Sequence, residues 1–449
     1  MRTKFTFDDR DEFQRKKIAE KVIQLLRSPI DVSPMVIDGD WGTGKTEFCH
    51  KLINWMKTED HYHIIYVDAF NADHANEPLL TVLAEVIKVL PNDEAQNTFI
   101  QKALPAVRYG LKALAKAGVA HLLRQDATDV ANDFDKEIQQ AANQAIDTSV
   151  ESLLKDHVKA SESLLALQTA LKEIAAEKPM ILFIDELDRC RPDFAINMLE
   201  IIKHTFDVEG VQFVLVTNTK QLKASINHCY GPTVDAQRYL DKFLKFSFAL
   251  PIVIPEQYEK TLAATNHFVQ LVQNSETLAN TQLHQDADLS FIRHIIQKHD
   301  VSLREVETLV RYFEIYQVLT EQKALASNII FGYKLLRLLG VSIFCLAPEL
   351  ANSILKGKSD AQELANFLGE TQLPEFSGGY PYPKHHQVLL TMLAQECHYH
   401  SGAYTPADEK MAAWEELISS YFARGGFPPS KGERHKIVTE AISVLGLAV

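Results

Sequence analysis

Long uncharged apolar runs are missing from this 449-residue sequence. The two nearest to one, 103–123 and 329–348, carry Arg108, Lys112 and Lys116, and Lys334 and Arg337, respectively. A lysine or arginine at a bilayer centre costs about 2.5 to 3.5 kcal/mol, so neither is expected to span a membrane. The second reads as a buried helix; the first can at most lie along a surface. Cysteine is scarce too. The five residues, Cys49, Cys190, Cys229, Cys345 and Cys397, never form CxxC, which argues against a disulfide framework and fits a reducing cytosol. Positive charge is not in excess: the formal net charge is -13, so nothing global draws the chain to nucleic acid or anionic membrane, although a local basic patch stays open. The N-terminal "MRTKFTFDDRDEFQRKK" lacks the apolar core of a secretory signal, so the expected location is cytoplasmic. Repeats and low-complexity tracts are lacking, and the one Gly/Pro-rich linker is "PEFSGGYPYPKHH" (374–386).

What is present describes an ordinary globular chain, 46% hydrophobic and 23% charged, long enough for two or three domains. Five short apolar runs rich in β-branched residues read as strands: "MVID" (35–38), "HIIYVDAF" (63–70), "MILFID" (180–185), "VQFVLVTN" (211–218) and "KFSFAL" (245–250). Helical patterns separate them, the alternation of a parallel sheet covered on both faces. Residues 71–178 read as a helical insertion whose polar middle, about 125–160, suits a solvated hairpin or arm. After "PIVIP" the rest reads as helical. The expected division is a core over 1–250, a helical lid over 251–373 and a helical extension over 374–449.

Chemistry concentrates where two of these strands end. "GDWGTGKT" fits G-x-x-x-x-G-K-[ST] with Gly39, Asp40, Trp41, Gly42, Thr43, Gly44, Lys45 and Thr46, followed by Glu47 in a helical pattern. Bare backbone lets successive amides converge on phosphate oxygens, and a helix N-terminus adds partial positive charge. Lys45 supplies a full charge for the β- and γ-phosphates, and the Thr46 hydroxyl suits Mg²⁺. A second carboxylate is then expected at another strand end. "ILFIDELDRCRPDF" provides Asp185 for the metal and Glu186 to take a proton from water. Acids ending a buried strand are costly without a cation beside them.

Six further residues have two readings each. Asn218 orients the lytic water or is a turn residue. Arg238, on the face of "DAQRYLDKFLKFSF" shared with Lys242 and Lys245, is an arginine finger for a neighbour or part of a solvated face. Arg304 in "SLREVETLVRYF" folds over the nucleotide or is surface charge. Trp41 stacks on the nucleotide or packs beside the loop. Arg189 and Arg191 flank the acids and either pair with Asp188 or face a partner. Pro192 and Asp193 open a helix with Phe194, Met198, Leu199 and Ile202 as its core stripe. His385, His386, Cys397, His398 and His400 are metal-ligand types, but their spacing matches no zinc pattern and reads as polar surface.

These motifs resemble the KAP group of P-loop NTPases, within the wider STAND/AAA-like ATPases. The resemblance rests on "GDWGTGKTEF", "YVDAFNADHANEPL", "FIDELDRCRPDFAINMLEIIKHTF", "RYLDKFLKFSFALP" and "SLREVETLVRYF", spanning about Phe7 to Phe313 in order. It implies a RecA-like α/β fold with a five-stranded parallel sheet and a helical C-terminal domain. It also implies ATP hydrolysis with Mg²⁺, with Lys45, Thr46, Asp185 and Glu186 in the roles above. Many members insert membrane helices between the two nucleotide motifs; here that interval is too charged, which resembles a soluble branch. Asn218 stands where many relatives have aspartate. Several bacterial members resemble components of phage-exclusion systems.

The expected function is therefore an Mg²⁺-dependent ATPase that switches conformation or assembly. It would act on ATP and on partner proteins or further copies of itself, with nucleic acid left open. Alternatives are a nucleotide-gated scaffold with little hydrolysis, which the intact Glu186 argues against, and a small-molecule phosphotransferase, for which no acceptor pocket follows Thr46.

Overall fold

The computed structural model describes residues 6–11, 13–75, 77–106, 161–255, 260–422 and 428–447. The solvated hairpin expected at 125–160, and most of the surface segment 103–123, lie outside them. The chain divides into two compact units.

The first unit, Met1–Asp40 with Gly44–Leu250, is built on the five expected strands. They are β1 (Met35–Asp38), β2 (His63–Asp68), β3 (Met180–Asp185), β4 (Val211–Thr217) and β5 (Phe246–Ala249), all parallel, in the order β2-β3-β4-β1-β5. The α/β, RecA-like sheet expected from the sequence is thus present. Alternation sends Met35, Ile37, Ile181, Phe183, Val214 and Val216 to one core, and Val36, Leu182, Ile184, Phe213 and Leu215 to the other. Helices Lys16–Arg27 and Lys45–Glu59 close the first face; Pro78–Ile87, Pro192–Thr205 and Thr219–Tyr230 close the second. The edge strand β5 departs from the buried pattern, with Phe246 exposed. Phe194, Met198, Leu199 and Ile202 are buried as expected.

Register decides what this unit can do. Asp68 pairs with Asp185 across β2 and β3, Asp185 with Val216 across β3 and β4, and Asp38 with Thr217 across β1 and β4. The strands therefore end level, and the acids at their ends share one edge of the sheet.

The second unit, Pro251–Val449 together with Trp41–Thr43, is mostly helical, and its helices share one core. The sequence reading missed a two-stranded antiparallel hairpin, Val253–Pro255 with Lys260–Leu262, because three-residue strands are too short to show a period. The apolar segment 329–348 becomes helix Phe331–Leu346, with its cations satisfied inside protein: Lys334 Nζ reaches Asp288 Oδ2 and the Thr281 carbonyl at 2.5 Å each, and Arg337 Nη1 the Ala324 carbonyl at 2.8 Å. Gly332 lies where a Cβ would come within 2.5 Å of the Phe422 ring, so that helix approaches its neighbours closely. Among the described residues no helix is long and apolar enough to cross a membrane.

Of the histidines read as polar surface, His398 and His400 are exposed as expected, but His386 is not. His386 is buried at the start of helix His385–Ala394, stacked on His294 at 3.4 Å and bound to Glu370 at 2.9 Å. His400 pairs with Asp360. The described residues contain no cluster of three or more metal-ligand side chains.

Candidate active site

Between β1 and the helix that starts at Lys45, the chain turns through Gly42 (φ 78°) and Gly44 (φ 80°), left-handed conformations that glycine adopts without penalty. Lys45 is only 9% exposed. Its ammonium donates to the Gly39 carbonyl at 2.5 Å and the Asp40 carbonyl at 3.1 Å, folding back on the loop itself. Burial lowers its pKa, opposed by the charges of Asp188, Asp185 and Asp38. The charge is thus held among acids but hydrogen-bonded to neutral carbonyls. Such a cation is ready to exchange weak partners for phosphate oxygens.

Two residues that sequence reasoning missed hold this loop. Asp38, ending β1, accepts from the Gly39 amide and the Thr219 amide at 2.9 Å each, and from the Thr219 hydroxyl at 2.8 Å. It clips the loop to the helix that follows β4. Arg15, buried ahead of the first helix, donates from Nη1 to the Gly44 carbonyl at 3.4 Å. The acid immediately before Gly39 was a visible signal; Arg15, twenty-nine positions upstream of Gly44, had none.

Across the sheet, Asp185 is 1% exposed. Its carboxylate accepts from the Tyr66 hydroxyl at 3.1 Å, from the Glu186 amide at 2.8 Å, and from the Thr46 hydroxyl. Burial pushes its pKa up to about 6; those three hydrogen bonds pull the other way and the neighbouring Glu186 charge adds to the rise. Tyr66 was also missed, as an ordinary half-buried member of β2; burial and Asp185 hold its phenol well above the usual range. The Thr46 hydroxyl and the Asp185 carboxylate are hard oxygen donors within one hydrogen bond of each other. A buried carboxylate that resists ionisation is stabilised by a cation, so this pair fits Mg²⁺ with water completing its shell.

Glu186 follows in a left-handed conformation (φ 60°), unfavourable by roughly 1 to 2 kcal/mol for a residue with a Cβ. Its Oε1 pairs with Arg189 Nη1 at 2.8 Å. Asp188 is buried and accepts from the Thr217 hydroxyl at 3.1 Å, and among the charges favouring the Lys45 ammonium it acts most strongly. Arg191 binds Asp73 through Nε at 3.1 Å and the Asp73 carbonyl through Nη2 at 2.7 Å.

Asn218 is a helix-capping residue that also reaches the loop after β1. It caps helix Thr219–Tyr230 by accepting from the Lys220 amide, and its Nδ2 donates to Asp40 Oδ1 at 3.1 Å. β4 lies between β1 and β3, so Asn218 comes to the loop from beside the acidic strand. The structure thus brings together Asp40, Lys45, Thr46, Asp185, Glu186 and Asn218. Glu47 instead pairs with Lys51 on its own helix at 2.8 Å. Trp41 is 49% exposed. Arg238 has an 86% exposed side chain and pairs with Asp235 at 3.3 Å; its helix, Ala236–Leu240, ends before Lys242 and Lys245, which are exposed as well. Arg304 is exposed in the first turn of helix Leu303–Leu319. Within the second unit, which includes the loop tip, a Cβ at Gly42 would stand 2.7 Å from Ser302 Oγ and 3.0 Å from Arg304 Cβ.

Among curated proteins none matches the chain. Among solved structures, Cdc6p from Pyrobaculum aerophilum is similar at 10% identity, with 96% of this chain and 94% of that one covered and a TM-score of 0.39, too low to carry an argument. The model of the KAP family P-loop domain matches residues 15–320. Since that match takes in Arg15, the phosphate loop, both acids at the end of β3 and Arg304, the chain belongs to the KAP family of P-loop NTPases.

Proposed function

We propose that the chain is an Mg²⁺-dependent ATPase whose hydrolytic cycle switches its conformation or assembly. The observation that supports this best is the Thr46–Asp185 contact: a loop hydroxyl and a buried carboxylate from two different strand ends meet beside Lys45. In this reading, loop amides and Lys45 bind the phosphates, Lys45 giving up its bonds to the Gly39 and Asp40 carbonyls. Thr46 and Asp185 hold the metal, which when bound neutralises charge on the phosphate oxygens. Glu186 accepts the proton of the attacking water, and Asn218, tethered to Asp40, orients that water. Arg304 reports the nucleotide state through the loop tip. In the same reading the exposed Arg238 serves the phosphates of a second copy.

The direct test is release of inorganic phosphate from Mg²⁺–ATP. Lys45→Ala should weaken binding strongly and stop release, whereas Glu186→Gln should retain ATP and stop release. Wild-type protein that binds ATP without releasing phosphate would favour the scaffold reading, which the Glu186–Arg189 pair also suits. Self-association through Arg238 predicts a mass increase with a non-hydrolysable analogue in sedimentation; a strict monomer argues against it. A setting in bacterial antiviral defence rests on the family resemblance alone, and phage challenge of cells carrying Lys45→Ala tests it.

A further inference from the structure

Glu186 is the proposed base, yet one of its oxygens is already taken. Its side chain folds onto the short turn Leu187–Arg189 and pairs with the Arg189 guanidinium at 2.8 Å. A carboxylate oxygen that accepts from a guanidinium is occupied, and must be released before it can accept from a water. The same guanidinium lies close enough to Lys45 to act against that ammonium's charge. Two cations therefore reach into one site, one from the loop and one from the turn after β3. Both side chains of the Glu186–Arg189 pair are partly open to solvent, so the arginine can leave without stripping a buried charge.

We propose that Arg189 is a latch on Glu186, released when the γ-phosphate of a bound nucleoside triphosphate draws the guanidinium away. This rests on the ATPase reading above. A guanidinium fork matches carboxylate and phosphate oxygens alike, and a terminal phosphate carries more charge than one carboxylate. A diphosphate has no γ-phosphate to compete, so the latch stays closed. Once released, Glu186 takes a proton from water as the water oxygen forms its bond to the γ-phosphorus. The bond from that phosphorus to the bridging oxygen breaks, its electron pair leaving with ADP. Departure of inorganic phosphate returns Arg189 to Glu186. Arg189 is thus a positioning residue that ties base availability to a complete triphosphate.

The test compares the affinities of Mg²⁺–ATPγS and Mg²⁺–ADP for full-length wild type, Arg189→Ala and Arg189→Lys, by calorimetry. Loss of one charge-assisted contact should weaken ATPγS binding about tenfold in Arg189→Ala while ADP binding changes less than about twofold. Unchanged ADP affinity also shows that the variant is folded. Arg189→Lys should recover part of the triphosphate preference, and in turnover Arg189→Ala should raise KM more than it lowers kcat. Equal change for both nucleotides, or a preference untouched in Arg189→Ala, overturns the latch and leaves the ATPase reading standing. Wild type that binds neither nucleotide overturns both.

Discussion

Two of the lysines buried among the described residues, Lys334 and Lys45, have surroundings that differ in kind. Lys334, 4% exposed in the helical unit, is bound directly to the Asp288 carboxylate and to the Thr281 carbonyl. Lys45, in the sheet unit, has Asp38, Asp185 and Asp188 in Coulombic range but donates to backbone carbonyls of its own loop. The first arrangement satisfies the charge inside the fold. The second holds a cation near anions without committing it to one, and burial accordingly lowers its pKa. Direct pairing marks structure; a buried cation kept off its nearest acids marks a place for a ligand.

Exchanging the two lysines for neutral residues is the sharpest way to break this contrast. Lys334→Met leaves Asp288 buried without its counter-charge and should cost about 3 to 5 kcal/mol in chemical denaturation. The double change Lys334→Met with Asp288→Leu should recover most of it. Lys45→Ala should lower affinity for Mg²⁺–ATPγS by about a hundredfold or more, roughly 2.7 kcal/mol, while leaving the denaturation midpoint unchanged or slightly raised. A large loss of stability in Lys45→Ala would show that the loop lysine is structural after all.

Asp185 gives the comparison a pH axis. Its folded pKa is about 6 against 3.8 for the free side chain, so the metal-free folded chain holds this proton more tightly than the unfolded one. The resulting stability is full below about pH 4 and is lost as pH rises through about 6. Metal binding needs the ionised carboxylate, so affinity for Mg²⁺–ATPγS should climb up to about pH 6 and level off above it. Asp185→Asn should remove both dependences, seen in melting and in titration. Smallest of these effects, Tyr66→Phe deletes one hydrogen bond to the ionised carboxylate, worth about 1 kcal/mol, and should move that plateau to higher pH.

Much of this was legible beforehand. The β1 and β3 strands appear with the bounds read from their apolar runs, since strands buried on both faces need uninterrupted β-branched and aliphatic residues. The phosphate loop was visible because its glycines, lysine and threonine are contiguous, and Asp185 with Glu186 because two acids ending such a strand have few other uses. Tyr66 and Arg15 were not, and of Asp38 and Asp188 only the presence was visible, not the contacts they make. Each acts through a hydrogen bond or charge whose partner is remote in sequence or is set by sheet register. The stack of His294 on the buried His386 escaped for the same reason: a histidine's surroundings are not written in its neighbours along the chain.

By itself, then, the sequence determined the local elements: where strands begin, where a bare loop precedes a helix, and which residue types cluster there. Those depend on side-chain period and backbone freedom over a few positions. Only the tertiary structure decided that β4 lies between β1 and β3, which level ends bring Asp38, Asp185 and Asn218 together, and that Glu186 is held by Arg189. These follow from strand order and register, where free energies of packing over the whole sheet choose among arrangements that local sequence leaves equal.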